Sequence, residues 1–325
     1  MKHISIIVPY NAVLGSVEGP RQVFTEANKF IMHTGGPEFC RVQLIGLQAE
    51  VPVCGGKYTV NADALINDIR KTDLIIIPAL DGDMPEVLAK NKEFIPWIIR
   101  HYKEGAEVAS LCIGAFMLAS TGLVNGKTIA THWLAASDFR KMFPEVDLVE
   151  EKIITEEQGI YSSGGAFSYL NLILHILAKY AGKEVAIFMA KAFQIEYERK
   201  SQSPFIIFNG QKEHEDEQIK KSQEFIEHNF QEKISVDQLS KTFGIGRRTL
   251  ERRFKKATSN SVTEYIQRVR IEAAKKFLES GRKTVNEAMY DVGYTDNHAF
   301  REVFKKITGM TPLDYRNKYN FELVA

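Results

Sequence analysis

Two sets of side chains in this 325-residue chain could do chemistry. The first is a pattern written twice, fifty positions apart. Arg247, Arg248, Arg252, Lys255 and Lys256 follow Gly244, and Asn297, His298, Arg301, Lys305 and Lys306 follow Gly293. Phe254, Lys255, Lys256 and Thr258 recur as Phe304, Lys305, Lys306 and Thr308, and Glu264-Tyr265 recurs as Asp314-Tyr315. A repeat at fixed period marks a duplicated supersecondary unit. Arginine donates two hydrogen bonds to guanine, asparagine does the same to adenine, and histidine reaches base edges. Lysine pairs at helix ends sit beside phosphates and add salt-dependent affinity. The second set is Cys112, placed between a strand-like run and a helical one, with His132 after a further strand-like stretch. A thiol at such a turn stands above a sheet edge as a nucleophile, and a helix N-terminus stabilises its thiolate.

The first set works only if helices present it. Ser235 with Gln238, and Thr284 with Glu287, are capping boxes that start helices. Gly244 and Gly293 permit tight turns. The helices that follow should run from about 246 to 257, with Leu250 and Phe254 inward, and from 297 to 307, with Phe300 and Phe304 inward. A long helix over 262–279, with an apolar stripe of Val262, Ile266, Val269, Ala273 and Phe277, joins the units, and Gly281 stops it. Two reading helices on a rigid connector would enter successive major grooves of duplex DNA, about one turn apart.

The second set needs a sheet. Runs at 4–9, 41–47, 74–78 and 107–111 are short, apolar and rich in Ile, Val and Leu, as buried parallel strands are. Amphipathic stretches at 20–32, 62–71 and 85–104 alternate with them, and helices at 167–180 and 183–193 follow. This order predicts a doubly wound, mostly parallel, flavodoxin-like α/β domain over 1–197, a polar linker over 198–218, and an all-α domain with two helix-turn-helix units over 219–325.

Charge divides the same way. From Ile219 onward 21 Lys and Arg face 14 Asp and Glu, a balance of +7; the remainder, 21 against 27, carries −6. A basic half beside an acidic one implies that only the former meets a polyanion. Three cysteines, Cys40, Cys54 and Cys112, make neither a disulfide framework nor a zinc-ligand spacing, so no metal or cofactor is expected. The first residues read as a strand too short in apolar run for a signal peptide, and no stretch spans a bilayer. A reduced, cytoplasmic protein is expected.

Residues 219–320 resemble the DNA-binding domain of AraC/XylS-type transcription regulators. The likeness rests on Val292-Gly293-Tyr294, Ala299-Phe300, Phe304-Lys305-Lys306-Ile307-Thr308-Gly309, Thr311-Pro312 and Tyr315-Arg316. It implies base contacts from Arg248 and Arg252 in the first unit, and from Asn297, His298 and Arg301 in the second. Family members often carry a basic residue where this chain has Glu302, which can accept from cytosine or repel the backbone. Residues 3–193 resemble the PfpI-type superfamily, related to class I glutamine amidotransferases, through Cys112-Ile113-Gly114, Gly122, Gly126-Lys127, Ala130-Thr131-His132-Trp133 and Ser162-Ser163-Gly164-Gly165. The fused whole resembles the GlxA-type subgroup of regulators. The resemblance implies a small-molecule effector pocket at Glu18, Asp81, Cys112, Ile113, His132 and Gly165, a homodimer, and RNA polymerase as a partner.

Catalysis fits this chain less well. Hydrolytic relatives have histidine where Ile113 stands, relatives with other chemistries have an acid where Ser16 stands, and Ala79 and Leu80 replace glycines. Cys112 can serve as a packing residue, a pocket wall or a redox-sensing thiol. The rival reading is a cysteine-dependent hydrolase or amidase, with Cys112 as nucleophile and His132 its base, carrying a DNA-binding appendage. A third is an interaction protein whose basic helices hold acidic partners.

Overall fold

The computed structural model describes residues 1–197 and 201–321. Contacts divide the chain into two units, Met1–Gln202 and Ser203–Ala325.

The first unit is built on β1 (Lys2–Ile7), β2 (Cys40–Gly46), the hairpin β3 (Glu50–Val53) and β4 (Tyr58–Asn61), β5 (Ala64–Leu65), β6 (Leu74–Ile77), β7 (Glu107–Leu111), the short pair β8 (Thr128–Ile129) and β9 (Asp147–Leu148), β10 (Ile154–Glu157) and β11 (Ile160–Ser163). Seven of these form one sheet in the order β10-β11-β7-β6-β1-β2-β5. Every pairing in it is parallel except β10 with β11. Ile7, Ile75, Ile77, Val108 and Ile160 face helices α3 (Phe94–Lys103), α4 (Ala115–Ser120) and α5 (Ala136–Met142). Ile4, Ile6, Leu74, Ile76, Leu111 and Tyr161 face α1 (Leu14–His33), α6 (Tyr169–Ala181) and α7 (Lys183–Ala192). Alternate residues point to opposite faces and both faces are apolar, so helices cover both. The doubly wound fold read from the strand runs is the one observed.

Three local readings are corrected. The stretch 62–71 is β5 followed by a single 3-10 turn at Ile66–Asp68. Asp63 takes the Leu44 N–H on its carboxylate at 2.7 Å and gives its own N–H to the Leu44 carbonyl, which draws the segment onto the sheet edge. Helix α1 starts at Leu14 and encloses Pro20, although a proline in sequence reads as a first-turn residue. The stretch 85–104 is two helices, α2 (Met84–Lys90) and α3. Asn91 breaks it: its side chain is fully buried, donates to Val87 O (2.8 Å) and Tyr10 O (3.0 Å), and accepts from Tyr10 N (2.8 Å).

The second unit is helical: α8 (Glu217–Asn229), α9 (Val236–Thr242), α10 (Arg247–Thr258), α11 (Val262–Glu279), α12 (Val285–Asp291), α13 (Asn297–Thr308) and α14 (Pro312–Tyr319). It holds two separate cores. One gathers Ile219, Ile226, Leu239, Leu250, Phe254, Val262 and Tyr265; the other gathers Ile271, Ala274, Leu278, Met289, Val292, Phe300, Phe304 and Tyr315. Helix α11 belongs to both, and this corrects its expected stripe. Val262, Tyr265 and Ile266 are buried in the first core and Ile271, Ala274 and Leu278 in the second, while Val269, Ala273 and Phe277 are only partly covered. At about 100° per residue, Ile266 and Ile271 lie some 140° apart around the helix, so its buried face turns between the cores. No helix among the described residues is long and apolar enough to cross a membrane.

Candidate nucleic-acid interface and the cysteine turn

The repeat is a repeat of structure. In each copy two helices flank a glycine turn, Gly244 at φ +63° and Gly293 at φ +80°, where a side chain would be strained. Thr284 and Glu287 form the full capping box, while at Ser235 the hydroxyl accepts from Gln238 N at 3.1 Å. Each second helix closes on the same lock: Thr258 Oγ1 donates to Phe254 O and Thr308 Oγ1 to Phe304 O, both at 2.8 Å. Left-handed caps follow at Ser259 and Gly309.

Both second helices bury one face and expose the other. Leu250, Phe254, Phe300 and Phe304 are fully buried. Arg248, Arg252, Lys256, His298, Arg301, Lys305 and Lys306 are exposed. The remaining predicted contacts have partners within the protein. Arg247 reaches Asp237 of α9 at 3.2 Å and Glu251 at 3.4 Å, and these two carboxylates raise its pKa. Asn297, half-buried, donates to Asn286 of α12 at 3.0 Å. The two stand at equivalent positions, so each unit braces its reading helix to the helix before it. Lys255 caps the end of α10 through Ser259 O at 2.8 Å. Arg253 is turned away into a two-pronged pair with Asp216 at 2.6 and 2.8 Å, which raises the arginine and lowers the aspartate. Superposing the copies by sequence sets exposed Glu302 opposite Arg252, so the two outer faces differ in charge.

In the first unit, β7 leads through a 3-10 turn at Cys112–Gly114 into α4. Cys112 takes φ +54°, the strained geometry of a strand-to-helix elbow. A β-carbon on Gly114 would collide with the Pro78 carbonyl oxygen, so glycine is required there. The expected exposed nucleophile is instead buried, at 4% exposure. Thr131 Oγ1 donates to Cys112 O at 3.0 Å, and Cys112 N donates to Ser163 Oγ at 3.4 Å. Burial pushes the thiol up to about 11, against a smaller opposing effect from the Ile113 N–H. Burial also lowers His132, whose Nδ1 accepts from Leu134 N at 3.1 Å. A thiol kept protonated by burial is not an activated nucleophile.

The other pocket candidates are scattered in role. Ile113 is half-buried at the turn. Glu18 is held by Arg21 through two bonds of 2.6 Å, and Asp81 is exposed, its carboxylate on Gly82 N at 2.9 Å. Ser16 donates to Val13 O at 2.7 Å and accepts from Ala79 N at 2.9 Å, so its hydroxyl ties loops together. Gly165 is buried at φ +80°. Sequence reasoning missed Thr131 and Ser163 as partners of the cysteine turn; bonds between segments remote in the chain leave no local signal.

Comparison with known proteins agrees with both halves. The DJ-1/PfpI family matches residues 14–179, and a helix-turn-helix domain matches residues 239–318. The HTH-type transcriptional regulator GbdR of Pseudomonas aeruginosa is 22% identical over 285 residues, covering 86% of this chain and 76% of that protein. A proposed transcriptional regulator from Vibrio parahaemolyticus superposes with a TM-score of 0.53 at 22% identity, over 59% of this chain and 98% of that one. Drosophila melanogaster DJ-1beta gives 0.51 at 17% identity, over 60% and 99%. The two structures share the fold of the first unit.

Proposed function

Because the chain belongs to the DJ-1/PfpI family and carries an AraC-type helix-turn-helix domain, we propose that it regulates transcription by reading duplex DNA with α10 and α13 under control of its first unit. The observation that supports this best is the paired burial pattern. Each reading helix seats two large apolar residues in its own core and leaves a polar, mostly basic face open. Arg248 and Arg252 in one helix, and His298 and Arg301 in the other, read base edges. Lys256, Lys305 and Lys306 meet phosphate. Arg247 and Asn297 hold the reading helices in place and touch bases only if their braces open.

The first unit binds a small effector at the Cys112 turn and assembles a homodimer. Effector binding alters the spacing of the DNA-reading modules, and RNA polymerase is the downstream partner. The protein works in the cytoplasm. The regulator reading is favoured over the hydrolase because the curated relatives are regulators, and because burial keeps the Cys112 thiol protonated. Selection of bound fragments from genomic DNA by the purified full chain tests the reading. A short shared sequence, bound with strong salt dependence, is expected. Binding without sequence preference, or preference for acidic protein over DNA, would overturn it.

A further inference from the structure

Helix α11 carries Val269, Ala273 and Phe277 four residues apart, so they share one face. The two cores of the helical unit leave that face only partly covered. It lines a cavity of about 500 Å³, and Phe208 and Phe230 add to the apolar lining. A cavity of this size, largely apolar with a few placed polar groups, is the usual form of a small-molecule site. Its lining belongs to both cores. Phe208 and Val269 pack on the core that holds Leu250 and Phe254 of α10; Phe230, Ala273 and Phe277 pack on the core that holds Phe300 and Phe304 of α13.

The segment 208–210 is tied in place beside it. Phe208 N donates to Glu272 Oε2 at 3.1 Å, and the Phe208 ring meets Tyr265 edge-on with centroids 5.1 Å apart. A β-carbon on Gly210 would lie 2.7 Å from Glu227 Oε1 and 2.9 Å from the Tyr265 hydroxyl, so glycine lets the segment close against α8 and α11.

Charge selects the ligand. Glu227, Glu272 and Lys276 line the cavity. Glu227 is held by Lys212 at 2.7 Å and by the Tyr265 hydroxyl at 2.6 Å. Glu272 is held by buried Lys275 at 2.7 Å. Lys276 is exposed, and its ammonium has no ion pair or hydrogen bond among the described residues. Both carboxylates are neutralised and one cation is left over, so the cavity favours an anion.

We propose that this cavity is a second ligand site, built into the DNA-reading unit, for a small aryl or alkyl carboxylate whose charge meets Lys276 and whose apolar body bridges the two cores. It is independent of the effector reading at the Cys112 turn. A ligand that touches both cores is lost when either opens, so binding holds the two reading heads together.

The test uses the full chain and three probes of one shape: phenylbutyrate, its uncharged amide, and phenylbutylamine. Calorimetric titration compares wild type, Lys276→Met, Lys276→Arg and Ala273→Phe. Phenylbutyrate should bind tightest and the amine weakest. Lys276→Met, an exposed change that leaves the fold intact, should weaken phenylbutyrate by about threefold to fivefold, the worth of an ion pair at an open rim, while leaving the amide unaffected. Lys276→Arg should keep the affinity, and Ala273→Phe, which fills the cavity, should abolish binding of every probe. Hydrogen exchange with phenylbutyrate bound should slow amides of both α10 and α13 in wild type. No saturable binding, an amine that binds as well as the acid, or phenylbutyrate indifferent to Lys276→Met overturns the site. Slowing confined to one of the two helices overturns the bridge between the cores.

Discussion

Removing one phenylalanine ring should disable one reading head and spare the other. Phe304 is fully buried, with ring centroids of Phe300 at 5.7 Å and Tyr315 at 5.5 Å. Phe304→Ala deletes a ring from a packed site, which costs about 3–5 kcal/mol. Each lost aromatic pair accounts for about 0.5–1.5 kcal/mol of that. Domains are stable by only about 5–15 kcal/mol, so the second core comes close to melting. The first core shares no residue with it beyond the α11 backbone that joins them. Hydrogen exchange measures the consequence. At about 1.4 kcal/mol per factor of ten, slowly exchanging amides of α12, α13 and α14 should speed up by roughly two to three and a half powers of ten. Those of α8, α9 and α10 should change little. On operator DNA, the protected stretch should shorten by about one helical turn, roughly 10 base pairs. If α8 to α10 accelerate as much as α13, or the whole footprint vanishes at once, the two cores fold as one and the reasoning is refuted.

Arg252→Ala should cost roughly 1–3 kcal/mol on the preferred sequence and relax preference at one or two positions. Lys256→Ala should weaken all DNA about equally and reduce the salt slope by about 1, as fragment binding across salt concentrations would reveal. Matching behaviour of the two variants would show the contacts to be wrongly sorted. Alkylation of Cys112 by iodoacetamide, followed by mass spectrometry, should be slow at neutral pH and climb toward a midpoint of about 11. Its folded pKa lies above the usual thiol value of about 8.5, so its contribution to stability is whole below that pH and fades as pH rises through about 11. A midpoint near neutrality would contradict burial as the controlling effect. Gly114→Ala should yield misfolded or destabilised protein by thermal unfolding, because the Pro78 carbonyl occupies the space its methyl needs; a melting temperature unchanged from wild type would show that the turn relaxes easily.

Much of this molecule is written locally. The apolar runs of β1, β2, β6 and β7 could hardly be anything but buried parallel strands, and Glu107–Leu111 matches its reading residue for residue. The duplicated helices were legible because their phenylalanines recur at helical spacing and their caps are short-range hydrogen bonds. What the sequence left open were properties created by distant neighbours. Asn91 divides a continuous amphipathic stretch because Tyr10 lies beside it. The buried face of α11 turns because two cores draw on one helix. Arg247 is braced and Arg252 exposed although both are arginines on one basic helix, since only Arg247 lies within reach of Asp237. Cys112 sits at the elbow its motif promised, yet its thiol stays protonated, because burial acts on charge and burial belongs to the folded chain. Residue type and spacing thus determined which elements form and which groups could act. Tertiary packing decided which of those groups face solvent, which are paired and which are silenced, because desolvation and hydrogen bonding depend on neighbours remote in the chain.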